Sequence, residues 1–105
     1  MKKLKMKLDY KCFPIWIYDE NNYLIANDLP NKLINDLEID TLCVKLQEDF
    51  DALYLDNNIE FKYIGFENEA NKAQFASSIN NIESILHKKV GSDYEIINEI
   101  SMENL

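Results

Sequence analysis

The chain has 105 residues, 47% of them hydrophobic, with only two glycines and two prolines. This composition is typical of one domain with a single core and excludes a disordered or loop-rich chain. Nineteen acids against eleven lysines, with no arginine, give a net charge of −8. Because phosphate capture normally uses arginine, a nucleotide- or nucleic-acid-binding protein is disfavoured.

The charge is distributed unevenly along the chain. Residues 1–11 contain five lysines and one aspartate, a charge of +4, so residues 12–105 carry −12. Residues 19–60 contain eleven acids and two lysines, a local charge of −9. Such a segment either keeps the protein soluble or attracts a basic partner, and composition does not separate the two.

Two strands are predicted before the first helix. Apolar residues alternate with lysines over residues 4–8, which is strand periodicity and not the start of a signal peptide. This strand is expected to continue, bent, through residues 13–18 after an irregularity near Pro14, which cannot donate to a ladder. The turn residues Asp19-Glu20-Asn21-Asn22 then predict a hairpin leading into residues 23–26.

The sequence does not decide which side chains of this first strand lie on its outer face. Alternation along residues 13–18 exposes either Trp16 and Tyr18 or Ile15 and Ile17. Aromatic residues beside acids are common in protein interfaces. The stretch therefore forms the end of the core and, in the first arrangement, the start of a contact surface.

Two helices are predicted in the acidic middle of the chain. Asp28 can cap a short helical segment over residues 29–35, and Asp40 can cap a longer helix over residues 41–55. The apolar face of the longer helix has the helical spacing of four, four and three and consists of Leu42, Leu46, Phe50 and Leu53. Its opposite face carries Glu48, Asp49 and Asp51.

A strand, a long helix and a last strand complete the prediction. Residues 59–63 and residues 94–100 alternate as strands, and this periodicity predicts that Phe61 and Tyr63 belong mostly to the core. The long helix over residues 68–90 has an apolar stripe made of Phe75, Ile79, Ile82, Leu86 and Val90. Lysines in its last turn and Gly91 behind it are typical of a helix end. The order β-β-α-α-β-α-β predicts an α+β fold, with two main helices on one face of a four- to five-stranded, mostly antiparallel sheet.

No catalytic, metal or cofactor site is predicted. One histidine and two distant cysteines are too few for a zinc site, and the acids around Tyr54 lack the glycine of a calcium loop. Cys12 and Cys43 fit reduced core thiols in a cytoplasmic protein. The pKa of Cys43 could fall near a helix start, but His87 is expected at the surface. The clustered acids lack the apolar pocket of a general acid.

Several segments resemble known proteins. The runs Asp9-Tyr10 and Cys12–Glu20, followed by Asn27–Pro30 and Asp56–Phe66, resemble small uncharacterised acidic proteins of low-GC Gram-positive bacteria. These in turn resemble the immunity components of polymorphic toxin systems. The resemblance covers about residues 8–100 and implies a protein that neutralises a co-encoded toxin by binding it. It implies no catalytic residues.

The sequence thus predicts a non-enzymatic, immunity-like inhibitor whose acidic face covers a basic surface of a toxin, for example a nuclease. The predicted contact residues are Asp19, Glu20, Asp28, Asp36, Glu38, Glu48, Asp49 and Asp51. No nucleic acid or membrane is expected as a partner, and the oligomeric state is open.

Two alternatives remain. A DNA mimic or anti-defence protein would occupy a nucleic-acid channel, although acids concentrated in residues 19–60 fit the even spacing of phosphates less well. A small enzyme would need a deep pocket that encloses Cys12, Cys43 or His87.

Overall fold

A computed structural model describes residues 1–105 and contains six strands, two α-helices and two short 3-10 helices. The strands are β1 (Lys2–Met6), β2 (Ile15–Tyr18), β3 (Leu24–Ala26), β4 (Tyr54–Asp56), β5 (Phe61–Tyr63) and β6 (Tyr94–Asn98). The helices are α1 (Leu37–Asp51) and α2 (Glu69–Val90), with 3-10 turns at Asn31–Leu33 and Met102–Asn104. The predicted α+β class is confirmed. Neither α-helix is long and apolar enough to cross a membrane.

Four strands form the main sheet in the order β3-β2-β1-β6. Strand β1 pairs antiparallel with β2 and parallel with β6, so the sheet is mixed. The prediction that the first strand continues through residues 13–18 is wrong, because the chain reverses before β2. Lys11 has a φ of 58°, and the amide of Lys7 donates to the carbonyl of Pro14 at 3.1 Å. Pro14 has no N–H to give, but its carbonyl closes the reversal.

The core lies between one face of this sheet and the two helices. Leu4 and Met6 of β1 and Ile15 and Ile17 of β2 are buried. The predicted stripe of α2 is confirmed at all five positions: Phe75, Ile79, Ile82, Leu86 and Val90. Since β-strands alternate, this burial leaves Trp16, Lys3 and Lys5 on the other face of the sheet.

Helix α1 starts and ends earlier than predicted. Its N-cap is Asp36 and not Asp40, because the Asp36 side chain accepts the amide of Ile39 at 3.2 Å. Its buried positions are Ile39, Cys43, Leu46 and Phe50. Leu42 is only half-buried, and Leu53 is buried but lies beyond the helix end. The short segment before it forms only the 3-10 turn at Asn31–Leu33, which has no side-chain cap.

The strand predicted at residues 59–63 forms outside the main sheet. It is β5, which pairs antiparallel with β4 in a separate two-stranded sheet. The prediction that the helix extends to residue 55 is wrong here, because Tyr54 and Leu55 belong to β4. Gly65, with a φ of +77°, and Ile64 both donate backbone amides to the carbonyl of Leu53 at the base of this hairpin. A left-handed φ at this point favours glycine.

Candidate protein interface

The outer face of the main sheet holds Lys5 and Lys7 beside two aromatic rings. Lys5 lies over the ring of Tyr18, with Nζ 4.4 Å from its centroid, and Lys7 lies over Trp16 at 4.9 Å. The Lys7 ammonium also donates to the Tyr18 hydroxyl at 2.7 Å. These cation–π contacts and hydrogen bonds occupy the cations within the chain. The outer face is therefore basic and aromatic, whereas most acids lie elsewhere.

The end of α1 carries three of the predicted contact acids. Glu48 is exposed, and Asp49 pairs with Lys45 at 2.8 Å one helical turn away. Asp51 accepts the backbone amide of Lys11 at 2.8 Å. This last bond holds the β1–β2 reversal against the helix, so Asp51 has a structural role as well as a charge. Of the three, Glu48 is the least tied to the fold.

The start of α1 carries Asp36 and Glu38, which meet at Lys89 near the end of α2. The ammonium of Lys89 donates to Asp36, and it lies 3.5 Å from Oε1 of Glu38. The hydrogen bond from Lys89, followed by the one from the Ile39 amide, lowers the pKa of Asp36. The same bond to Asp36 raises the pKa of Lys89. This pair joins the start of α1 to the end of α2, so the helices run antiparallel.

The Asp36–Lys89 ion pair should affect how the stability of the protein changes at acidic pH. A carboxylate whose pKa is lower in the folded chain than its usual 3.8 adds stability that is present above that value. This contribution is lost as the pH falls through the folded pKa. We expect Asp36→Asn, which keeps a good N-cap, to show a smaller loss of stability between about pH 5 and pH 2 than the wild type. Urea unfolding midpoints measured across this range give the two profiles.

The matched variant for this experiment is Lys89→Met, which removes the partner and leaves the cap. Lys89→Met should likewise show a smaller loss of stability at low pH than the wild type. An Asp36→Asn protein that keeps the full wild-type acid slope would mean that other groups cause it.

The remaining predicted acids lie at turns. Asp19 accepts the amides of Asn21 and Tyr23, each at 2.9 Å, which confirms the predicted turn. Glu20 lies 3.8 Å from the N-terminal amine. Asp28 accepts the amide of Leu29 at 2.7 Å. The eight acids thus fall into separate groups: at the β2–β3 turn, before and at the start of α1, and at the end of α1. Their contact with a partner stays a prediction.

The β4–β5 hairpin carries a group of exposed apolar side chains that the sequence pattern does not predict. We call residues 54–64 the aromatic hairpin. The exposed fractions are 93% for Ile59, 55% for Phe61, 41% for Tyr63 and 56% for Ile64. Periodicity had assigned Phe61 and Tyr63 to the core. The strand-forming pair Tyr54-Leu55 directly before the Asp56–Asn58 turn was a signal for a hairpin there.

Aromatic rings connect this hairpin to the core. Tyr54 contacts the buried Phe50 edge to face, with ring centroids 5.5 Å apart, and stacks on Phe61 at 5.3 Å. Tyr10 from the β1–β2 reversal packs edge-on against Phe61 at 4.9 Å. Its hydroxyl donates to Asp56 at 3.0 Å. Burial, followed by this bond to a carboxylate, raises the pKa of Tyr10. The hairpin is therefore attached to the body at several points.

Cys43 lies in the core, whereas His87 lies at the surface. Burial raises the pKa of Cys43 to about 12, so the expectation that it could fall is wrong. His87 is exposed, as predicted, and its Nε2 lies 3.6 Å from Glu83. The three main surface depressions are not lined by Cys12, Cys43 or His87. Phe66 and Phe75 line a depression of about 310 Å³ beside the hairpin base.

An acidic helical layer next to an exposed aromatic hairpin is typical of a protein that binds another protein. A family model described as Serratia CdiI immunity protein-like matches residues 2–99 of this chain. The chain belongs to this family of immunity proteins. No curated protein sequence matches it. The resemblance to immunity components of toxin systems is thereby confirmed.

Proposed function

We propose that the protein neutralises a cognate toxin by binding it, without catalysis, and that its acidic helical surface covers a basic surface of that toxin. The family match over residues 2–99 is the observation that carries this proposal, since an immunity protein is defined by the toxin that it neutralises. The position and charge of the acids support the proposal that the acidic helical surface contacts the toxin.

Helix α1 is the most acidic element of the helical layer. It contains five acids and one lysine, a charge of −4, and Asp36 at its N-cap adds another carboxylate. Lys5 and Lys7 lie on the opposite side of the molecule, against aromatic rings. This separation gives the helical side a negative potential that speeds encounter with a basic partner.

A nuclease is the toxin class that fits this surface best. An enzyme that cleaves DNA or RNA holds phosphates with lysine and arginine, so the surface around its active site is basic. An acidic protein bound there competes directly with the substrate. The chain has no arginine of its own to bind phosphate, which agrees with a role against a nuclease and not as one.

The test is inhibition of the toxin encoded beside the gene for this chain. Increasing amounts of the purified protein are mixed with the purified toxin domain, and the toxin activity is measured on its nucleic-acid substrate. We expect inhibition to be complete at a fixed molar ratio, because a binder acts stoichiometrically. Inhibition should weaken as the salt rises from about 0.05 M to 0.5 M, since exposed charges are screened.

An unrelated basic nuclease serves as the control, and it should keep its activity. Inhibition of both nucleases to the same degree would identify a DNA mimic and overturn the proposal. Full inhibition by far less than one equivalent would identify an enzyme. Unchanged activity of the neighbouring toxin at all ratios would overturn the proposal.

A further inference from the structure

Strand β5 is exceptional in this fold because all three of its side chains are exposed. A strand at the surface normally buries one face and exposes the other. Here Phe61 and Tyr63 are both exposed, and so are their apolar neighbours Ile59 and Ile64. Four apolar side chains within six residues therefore contribute little to the core of this chain. Exposed apolar side chains concentrated in one short segment mark a candidate interaction surface.

The hairpin presents these side chains in a fixed arrangement. An isolated two-stranded hairpin is marginally stable in water. This one is anchored by Tyr54, whose ring contacts Phe50 below and Phe61 and Tyr63 above. Its turn is closed by Asn57, whose side chain accepts the amides of Ile59 and Glu60 at 2.8 and 2.9 Å. A surface that is already ordered loses less conformational entropy when it binds.

The charges around the patch favour one kind of partner. Asp51, Asp56, Glu60 and Glu67 lie on the hairpin or directly beside it, whereas Lys62 is the one cation of the hairpin and already pairs with Glu60 at 3.7 Å. Exposed aromatic faces next to carboxylates bind arginine and lysine side chains through cation–π contacts and ion pairs. The complementary surface is therefore apolar in the middle and basic at its rim.

A second exposed apolar hairpin, formed by β2 and β3, provides a comparison. Tyr23, Leu24 and Ile25 are exposed there by 70%, 53% and 51%. It lies beside basic groups of the chain start, because Glu20 is 3.8 Å from the N-terminal amine and β2 pairs with β1, which carries Lys3 and Lys5. The β2–β3 hairpin thus has apolar exposure next to a basic strand, whereas acids outnumber the cations on and beside the aromatic hairpin. Charge complementarity to a basic partner selects the aromatic hairpin.

We propose that the aromatic hairpin is the anchor of the toxin interface. Ile59, Phe61 and Tyr63 pack into an apolar surface of the toxin, and Asp56 and Glu60 pair with the lysine and arginine side chains that border it. This inference rests on the proposed function, and it assigns the affinity to side chains that differ from the acids of α1. Those acids contribute mainly to the rate of encounter.

The experiment measures association and dissociation of the purified neighbouring toxin domain on immobilised Ile59→Ser and Phe61→Ala variants. Each is expected to weaken binding roughly 10- to 100-fold, mainly through faster dissociation, as for a central apolar or aromatic contact. Ile59 is 93% exposed, so its replacement leaves the fold intact even where loss of Phe61 loosens the stacking on Tyr54. Thermal unfolding of each variant checks this.

Tyr23→Ala/Ile25→Ala in the other exposed hairpin is the matched control, and its affinity should change less than about two-fold. Asp56→Asn, which keeps an acceptor for Tyr10, should slow association at low salt if the rim of the toxin is basic.

The outcomes separate the two proposals. Tight wild-type binding that Ile59→Ser and Phe61→Ala leave unchanged overturns the hairpin assignment alone, and the immunity function stands. A larger loss in the Tyr23/Ile25 control than in the hairpin variants moves the anchor to the β2–β3 hairpin. Absence of any wild-type binding to the toxin overturns the proposed function and this inference with it.

Discussion

Replacement of Leu86 by alanine is expected to lower the free energy of unfolding by about 2–5 kcal/mol. Leu86 is completely buried in the α2 stripe and belongs to the core of the protein. Truncation removes apolar surface from the core and leaves a cavity that the close-packed neighbours fill only in part. A domain of this size has a total stability of about 5–15 kcal/mol, so the loss is a large fraction of it. Urea unfolding followed by circular dichroism measures the change.

Leu37→Ala is the matched control for this core variant. Leu37 begins α1 but is 78% exposed, so the same chemical change should cost less than about 0.5 kcal/mol. Equal losses in the two variants would contradict the position of α2 over the sheet. A change in the slope of the urea transition, instead of its midpoint, would indicate an altered unfolded state and require a separate explanation.

Helix α2 shows how much of the fold can be predicted from local sequence. Its N-cap Asn68 accepts the amide of Asn71 at 2.8 Å, and its lysines and Gly91 stand at the other end. The buried stripe between these ends follows the helical period without interruption. All these signals lie within the helix or next to it. For this reason the predicted bounds, residues 68–90, differ from Glu69–Val90 by one position.

Helix α1 shows which features of the fold cannot be predicted from local sequence. Asp36 and Asp40 are both acceptable N-caps by residue type. The structure selects Asp36, which also bonds to Lys89, 53 residues further along the chain. In the same way, the β1–β2 reversal is held by Asp51, 40 residues away from Lys11. Neither choice could be predicted from a window of the sequence, because each depends on how distant segments pack.

The candidate site shows the same division. The composition predicts an acidic protein with a binding role, because the net charge is the sum over all residues and does not depend on the fold. It did not predict which acids are free, since Asp19, Asp28 and Asp36 each satisfy backbone amides in the structure. Alternation also placed Phe61 in the core, although β5 lies outside the main sheet. The interface hypothesis consequently moves towards the end of α1 and the adjacent hairpin.

The second large effect is expected from charge reversal at the end of α1. In Glu48→Lys/Asp49→Lys, association with the neighbouring toxin domain should slow roughly 10-fold or more at low salt, because the attractive potential at this end changes sign. Asp51 is left in place, since it holds the amide of Lys11. Exposed ion pairs such as Lys45–Asp49 add little to stability, so the melting temperature should move only slightly. Stopped-flow association at several ionic strengths gives the rate and its salt dependence.

Glu95→Lys/Glu103→Lys is the control with the same total charge. Each replacement adds two charges, so both double variants carry −4 instead of −8. Glu95 lies on β6 and Glu103 in the last 3-10 turn, and both are exposed. A docking surface at the end of α1 requires that this control associate much faster than the α1 variant. Equal slowing in both would mean that only the net charge matters. Wild-type rates in both, independent of salt, would leave the α1 acids a role in solubility, and the aromatic hairpin would then supply recognition without electrostatic steering.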